Sequence, residues 1–162
     1  MSGTRWLDAD EQRAWRAYLA ATRLLSAQLD RELQRDSGIP HAYYEILVRL
    51  SEAPGRTLRM SELADASDSS RSRLSHAVAR LEEAGWVARE SCPTDRRGAF
   101  ARLTDVGYAA LEAAAPAHVE SVRTHLLDPL SPEQVRQLRE ISEAILAGLR
   151  RHGAAPDLQD TA

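Results

Sequence analysis

The stretch whose reading decides the fold is Ser69-Ser70-Arg71-Ser72-Arg73-Leu74-Ser75-His76-Ala77-Val78-Ala79-Arg80-Leu81-Glu82-Glu83-Ala84-Gly85. It is followed at once by Trp86 to Glu90, a polar loop Cys92-Pro93-Thr94-Asp95-Arg96-Arg97-Gly98, and Ala99 to Leu103. Set on a helix at about 100° per residue, Leu74, Ala77, Val78 and Leu81 fall within one arc about 100° wide, which predicts a buried face. Ser69, Ser72, Arg73, His76 and Arg80 share a second arc roughly opposite, and Ser70 stands beside them at the helix start. Small hydroxyls let a backbone come close, arginine forks match guanine edges and phosphates, and a helix N-terminus favours an anion. Such a face suits a DNA major groove. The solvated side of an ordinary amphipathic helix fits the helix taken alone equally well. The following loop decides between them. Adjacent Arg96 and Arg97, on a tip stiffened by Pro93 and beside Asp95, suit a narrow minor groove, where negative potential is focused.

Working outward from this stretch, Ser67-Asp68 marks a turn, and Ser61 is placed to cap a brief helix holding Leu63 and Ala64. Thr57 to Arg59 reads as a short extended link. Pro40 stands at a favoured first helical position before Tyr43, Tyr44, Ile46, Leu47 and Leu50, a helix that Pro54-Gly55 ends. Earlier still, Asp8 and Glu11 form a capping-box pattern, and Trp15, Tyr18, Leu25, Leu29 and Leu33 recur at helical spacing up to Gly38. Downstream, Gly85 ends the deciding helix, and Trp86 to Glu90 with Ala99 to Leu103 read as two short strands. Thr104-Asp105 then opens a helix with Val106, Leu111, Val119, Val122 and Leu126, which Pro116 is expected to bend or restart. Ser131-Pro132-Glu133-Gln134 starts a last helix carrying Val135, Leu138, Ile141, Ile145 and Leu149.

The predicted fold is therefore mainly α with a small β-hairpin wing. A winged helix-turn-helix region at 55–104 lies between helical arm regions at 8–53 and 105–150, with a flexible tail at 153–162. Helix, turn, helix and basic hairpin in this order is the arrangement of a DNA reader.

The remaining composition narrows the function. The 162 residues and 17.9 kDa amount to one domain's worth of chain, which excludes a large multi-domain enzyme. With 43% hydrophobic and 28% charged residues and no long apolar run, a soluble globular chain is expected, with no membrane partner. The first ten residues lack a continuous apolar segment of the signal-peptide kind, and the single cysteine, Cys92, excludes an internal disulfide. A cytoplasmic location follows as the expectation. The net charge is −3, yet from Ser69 to Arg102 seven arginines face four acids, and every one of the 21 basic residues is arginine. No glycine-rich phosphate loop, metal-ligand cluster or nucleophile-base arrangement stands out, so neither an enzyme nor a cofactor is expected.

With these residues in view, the chain resembles the MarR-type transcriptional regulators. The resemblance runs from Leu58-Arg59-Met60-Ser61-Glu62-Leu63-Ala64 through Ser70-Arg71-Ser72-Arg73-Leu74-Ser75 and Arg80-Leu81-Glu82-Glu83-Ala84-Gly85-Trp86-Val87 to Asp95-Arg96-Arg97-Gly98 and Leu103-Thr104-Asp105-Val106-Gly107. It covers about residues 8 to 150. The wing sequence is its most diagnostic part. The resemblance implies a homodimer, most often a repressor, whose terminal helices interlock while two winged domains read a pseudo-palindromic operator in double-stranded DNA. By position, Ser69, Ser70, Ser72, Arg73, His76 and Arg80 would lie in or beside the major groove. Arg96 and Arg97 would reach the minor groove or its phosphates, with Asp95 bracing Arg97. It also implies a small aromatic or phenolic effector, for which Trp15, Tyr18, Tyr43 and Tyr44 are the candidate lining, although aromatics at helical spacing are more often core.

Other signals have plainer readings. The stripe Val135, Leu138, Ile141, Ile145 and Leu149 is more than a small domain covers alone, which favours a dimer interface over intrachain packing. Cys92 lies near two arginines but has no second cysteine to resolve it, so redox sensing is the less favoured reading. His118 and His125, seven apart, could share a helix face, but a metal site needs three or four ligands, and none is predicted. The rival to a DNA reader is a winged-helix protein-interaction module that never touches DNA.

Overall fold

The computed structural model describes residues 3–67, 70–92 and 95–153. The side chains of Ala66, Cys92, His152, Gly153 and residues 95–98 are outside that description, as are Ser69 and the expected tail beyond Gly153. The chain forms two compact units, Met1–Ser121 and Val122–Ala162.

The first unit begins with α1 (Ala9–Ser37), started by the capping box foreseen at Asp8 and Glu11. Asp8 accepts the N–H groups of Asp10 and Glu11, each at 2.8 Å, and Glu11 accepts that of Asp8 at 2.9 Å. Gly38, at φ +70°, ends it in the left-handed region that glycine enters without a Cβ penalty. Only Leu29 and Leu33 of α1 are buried, and the helix is exposed through most of its first half. Next come α2 (His41–Glu52), a 3₁₀ turn (Pro54–Arg56), β1 (Thr57–Arg59), α3 (Met60–Ala66) and α4 (Arg71–Glu83). The hairpin β2 (Val87–Cys92) and β3 (Asp95–Leu103) leads into α5 (Asp105–Val122).

One core joins these elements. Leu47, Leu50, Leu63 and Val78 are completely buried, Leu74 and Leu81 nearly so, and Val87, Ala101 and Leu103 of the hairpin close the cluster with Leu111 and Ala114 of α5. Each fully buried leucine or valine contributes about 1.5–3 kcal/mol relative to exposure. The stripe assigned to the deciding helix is the one that anchors α4, apart from Ala77, which is half-buried.

The second unit holds the end of α5, a π-helical segment (Arg123–Leu127) and α6 (Pro132–Gly153). Ser131 and Gln134 cap α6 reciprocally, at 2.8 and 3.2 Å, as their spacing foretold.

Four local expectations are corrected. Thr57 to Arg59 is not a link but the third strand of an antiparallel sheet ordered β1-β3-β2, with Leu58 opposite Ala101. The hairpin strands run further into the wing than their apolar pattern, because ladder pairing continues to Cys92 opposite Asp95 across a bulge after Ser91. The start of α3 falls one residue ahead of Ser61, since the Glu62 carboxylate accepts the Arg59 N–H at 3.0 Å and makes Arg59 the N-cap. Pro116 does not restart α5, which runs through it as one helix to Val122. That proline is solvent-exposed, while Leu111, Ala114 and Ser121 are buried around it and Ser121 donates to Glu32 of α1. Packing on both sides outweighs one lost backbone bond. In addition, Pro40 caps α2 from outside rather than occupying its first turn.

Candidate nucleic-acid interface

The Ser70 hydroxyl caps α4 by accepting the Arg73 N–H at 3.3 Å, and its backbone carbonyl accepts that of Leu74 at 2.9 Å. From that cap the buried stripe turns one side of the helix inward, which leaves Ser70, Ser72, Arg73, His76 and Arg80 all exposed on the outer side. The predicted arc is thus brought together on one accessible face, Ser69 lying outside the described residues. At the other end Gly85, at φ +75°, releases the chain into the hairpin.

A single hydroxyl then ties three elements together. Thr104 Oγ1 donates toward the carbonyls of Gly85, at 2.7 Å, and Trp86, at 3.1 Å, and accepts the Gly107 N–H at 3.0 Å. The Thr104 backbone N–H also donates to the Trp86 carbonyl at 2.9 Å, so the two ends of the hairpin are stitched at its base. Gly107 is required there: a Cβ would run into the Trp86 carbonyl oxygen and lie 2.8 Å from both its carbon and Leu103 Cδ1.

The electrostatics are more selective than the charge count. Three of the four acids in this stretch pair with arginines: Glu83 with Arg80 at 2.8 Å, Glu82 with Arg89 at 2.9 Å, and Glu90 with Arg102 across the hairpin. Glu83 holds the Arg80 guanidinium more firmly charged than usual, chiefly by its hydrogen bond. Among the described residues Arg71 and Arg73, in the first turn of α4, have no ion-pair partner. Unneutralised positive charge therefore coincides with the positive end of the helix dipole. Arg71, which sequence reasoning left out of the site, belongs with Arg73 on this ground. The backbone of Asp95, Arg96 and Arg97 lies in β3 toward the hairpin tip, while their side chains and that of Cys92 fall outside the described residues.

The four candidate pocket aromatics are not gathered into one cavity. Trp15 and Tyr18 stack on each other on exposed α1, with ring centroids 6.4 Å apart. Tyr43 lines a cleft of about 350 Å³ between α2 and α4, with Glu45, Ile46, Ser67, Arg73 and His76. Tyr44 is core, and its edge borders a second cleft of about 320 Å³ between α2 and α5 with His41, Arg49 and His118. His118, which spacing had set beside His125, instead meets Tyr44 at 4.6 Å and His41 at 5.4 Å between ring centroids. Its Nδ1 is buried without a partner, and burial, then the neighbouring His41, lowers its pKa. Among the described residues no three metal-ligating side chains are grouped to hold an ion, and no helix is long and apolar enough to cross a membrane.

A cationic helix face presented by a helix-turn-helix, with a β-hairpin beside it, defines a winged helix-turn-helix protein. Comparison with known proteins is specific on this point. The sequence pattern of the MarR family matches residues 37–98. Sco3205, a MarR family transcriptional regulator from Streptomyces coelicolor solved in complex with DNA, is 55% identical, with a TM-score of 0.87 over 92% of this chain and 93% of that one. AbsC, another MarR family regulator from the same organism, is 48% identical, with a TM-score of 0.84 over 91% of this chain and 99% of that one. The HTH-type transcriptional regulator PecS of Dickeya dadantii is 35% identical over 57% of this chain, a match that spans about half, 52%, of its own length. The chain belongs to the MarR family of transcriptional regulators.

Proposed function

We propose that this chain is a sequence-specific DNA-binding regulator, a repressor acting as a homodimer on a pseudo-palindromic operator. The observation that carries the reading is the exposed face of α4, where Ser70, Ser72, Arg73 and His76 surround unneutralised charge at a helix N-terminus. In this reading α4 enters the major groove, and Arg96 and Arg97 at the wing reach the minor groove or its phosphates, with Asp95 bracing Arg97. The complex of Sco3205 with DNA supports it by likeness.

The dimer is supported by α6, on which Ile141, Ile145 and Leu149 are 58%, 40% and 64% exposed, an apolar stripe that a lone chain leaves to water. Two winged domains on one two-fold axis then match a palindromic site. A small aromatic or phenolic ligand relieves repression by favouring a spacing of the two α4 helices that does not fit the operator. That coupling requires unequal affinity for the two states. The clefts on either side of α2, with Tyr43 and Tyr44 at their edges, support the proposal, while Trp15 and Tyr18 line neither cleft.

The test is enrichment of duplexes from a randomised pool, followed by fluorescence-anisotropy titration of the enriched duplex and its scrambled version across a salt series. The expected result is a preference of about 10³ or more with a steep salt slope. No enrichment, with the pool before and after selection bound equally weakly, refutes the reading and favours a protein-interaction module.

A further inference from the structure

Arg89 belongs to the arginine-rich stretch, yet its guanidinium is engaged with the protein itself. Its Nη2 donates to the backbone carbonyl oxygen of Ser75 at 2.6 Å, and its Nε lies 2.9 Å from Glu82 Oε2. Its own backbone N–H donates to the other carboxylate oxygen, Glu82 Oε1, at 3.1 Å. Both oxygens of Glu82 are thus spent on one residue. Ser75 and Glu82 are two turns apart on α4, so one arginine grips about 10 Å of the helix at two points. The pair is also half-sheltered, with side chains 32% and 34% exposed against 68% and 64% for Arg80 and Glu83, and is screened less by salt.

The position of these bonds gives them a role. Arg89 sits on β2, opposite the fully buried Ala101 of β3, and three residues further on Cys92 pairs with Asp95 near the hairpin tip. The hydrophobic core holds the base of the hairpin through Val87 and Leu103 and holds α4 through Leu74, Val78 and Leu81. Beyond that base, the Arg89 bonds are, among the described residues, the polar ties that join β2 to the side of α4. We infer that Arg89 and Glu82 are positioning residues for DNA binding. They hold the wing at the angle to α4 at which helix and wing engage one duplex together. The inference rests on the DNA-binding reading above.

Charge alone predicts the opposite for Glu82. Removing a carboxylate from a protein surface that meets phosphates should tighten binding. Positioning predicts that Glu82→Gln weakens it, because an amide offers one acceptor oxygen where the carboxylate offers two. The experiment uses the full chain and the enriched duplex of the preceding section, with anisotropy titrations across a salt series. The variants are Glu82→Gln, Arg89→Lys, Arg97→Ala and the double variant Glu82→Gln/Arg97→Ala, with thermal unfolding to show that each remains folded.

The expected result is a loss of affinity of tenfold or more for Glu82→Gln, and a salt slope flattened by about 0.9 for each phosphate that the wing releases. Arg97→Ala added to Glu82→Gln should then cost little more, since the wing is already displaced. Arg89→Lys keeps the charge but not the two-point grip, and should resemble Glu82→Gln. A folded Glu82→Gln that binds as tightly as the parent, or tighter, overturns the inference, as do fully additive effects in the double variant. A parent chain that prefers no duplex overturns the DNA-binding reading, and this inference with it.

Discussion

Replacing Gly107 by alanine sets two opposed effects against each other. Gly107 lies in the first turn of α5, and by helix propensity alone an alanine there would stabilise the helix by about 1 kcal/mol. The surroundings argue otherwise. A Cβ at this position meets the Trp86 carbonyl group and Leu103 Cδ1, its carbon neighbours at 2.8 Å against the 3.4 Å or more of ordinary packing. The first obstacle is backbone, held in place by the Thr104 N–H at 2.9 Å, and it cannot swing aside as a side chain would. Overpacking costs about 1–3 kcal/mol, and a rigid backbone neighbour places this case at the top of that range. If the start of α5 shifts to relieve it, the bond from the Gly107 N–H to Thr104 Oγ1 breaks as well, at about 1 kcal/mol. The net is a destabilisation of about 3 kcal/mol, which for a domain of this size lowers Tm by about 6–12 °C. Thermal unfolding followed by circular dichroism, at fixed protein concentration, measures it directly. An unchanged or raised Tm would mean that propensity outweighs the close approach, and would refute the argument.

Three further outcomes follow from the structure. Arg73→Ala should flatten the salt slope of DNA binding by about 0.9 for each phosphate the guanidinium neutralises, and by more than Arg80→Ala, whose charge is already shared with Glu83; equal slopes for the two variants would contradict the charge assignment. Folding depresses the His118 pKa below its ordinary 6.5, so the unfolded chain takes up the proton first as pH falls, and the stability this histidine contributes is present above about pH 6.5 and lost below it. His118→Phe should therefore melt with a smaller drop in Tm between pH 7.5 and 5.5 than the parent, and an identical drop would count against it. Ile141→Asp/Ile145→Asp places two charges on the exposed stripe of α6 and should halve the mass found by light scattering, whereas an unchanged mass would remove α6 from the interface.

The fold was legible wherever one residue pattern carries its own geometry. The buried stripe Leu74, Val78 and Leu81 needs only the helical period, and the caps at Asp8 and Ser131 need only a three-residue spacing, so both could be read directly. What escaped depends on residues distant in sequence. The three residues of β1 are too few to show a period, and only pairing with Arg102, Ala101 and Phe100 makes them a strand. Whether Pro116 divides its helix depends on what packs on either side of it, and that packing cannot be seen from the chain. The meeting of His118 with His41 joins two helices, whereas spacing could suggest only a partner on the same helix. In the candidate site, the helical period placed Ser70, Ser72, Arg73, His76 and Arg80 on one exposed face of α4, Ser69 lying outside the described residues, but it could not show how the charge on that face is paired. Counting arginines treats Arg71, Arg73, Arg89 and Arg102 alike. The structure divides them, since Arg89 and Arg102 are committed to Glu82 and Glu90 while Arg71 and Arg73, in the first turn of α4, have no ion-pair partner among the described residues.

The stitch at the base of the hairpin makes the wing a closed excursion. The chain leaves the protein body at Trp86 and returns at Thr104 beside the point of departure, with the Thr104 N–H on the Trp86 carbonyl and its hydroxyl on the same small junction. Residues toward the tip, beyond the core positions Val87, Ala101 and Leu103 and the Arg89 ties, can change in number without moving either end, because lengthening a loop whose ends are already joined adds only a slowly growing entropic cost. Insertions or deletions at the tip, made two residues at a time so that strand faces stay in phase, alter the reach of the wing and leave α4 and α5 where they are. The reach of the wing is thus a variable that selection or engineering can adjust independently of the helix beside it.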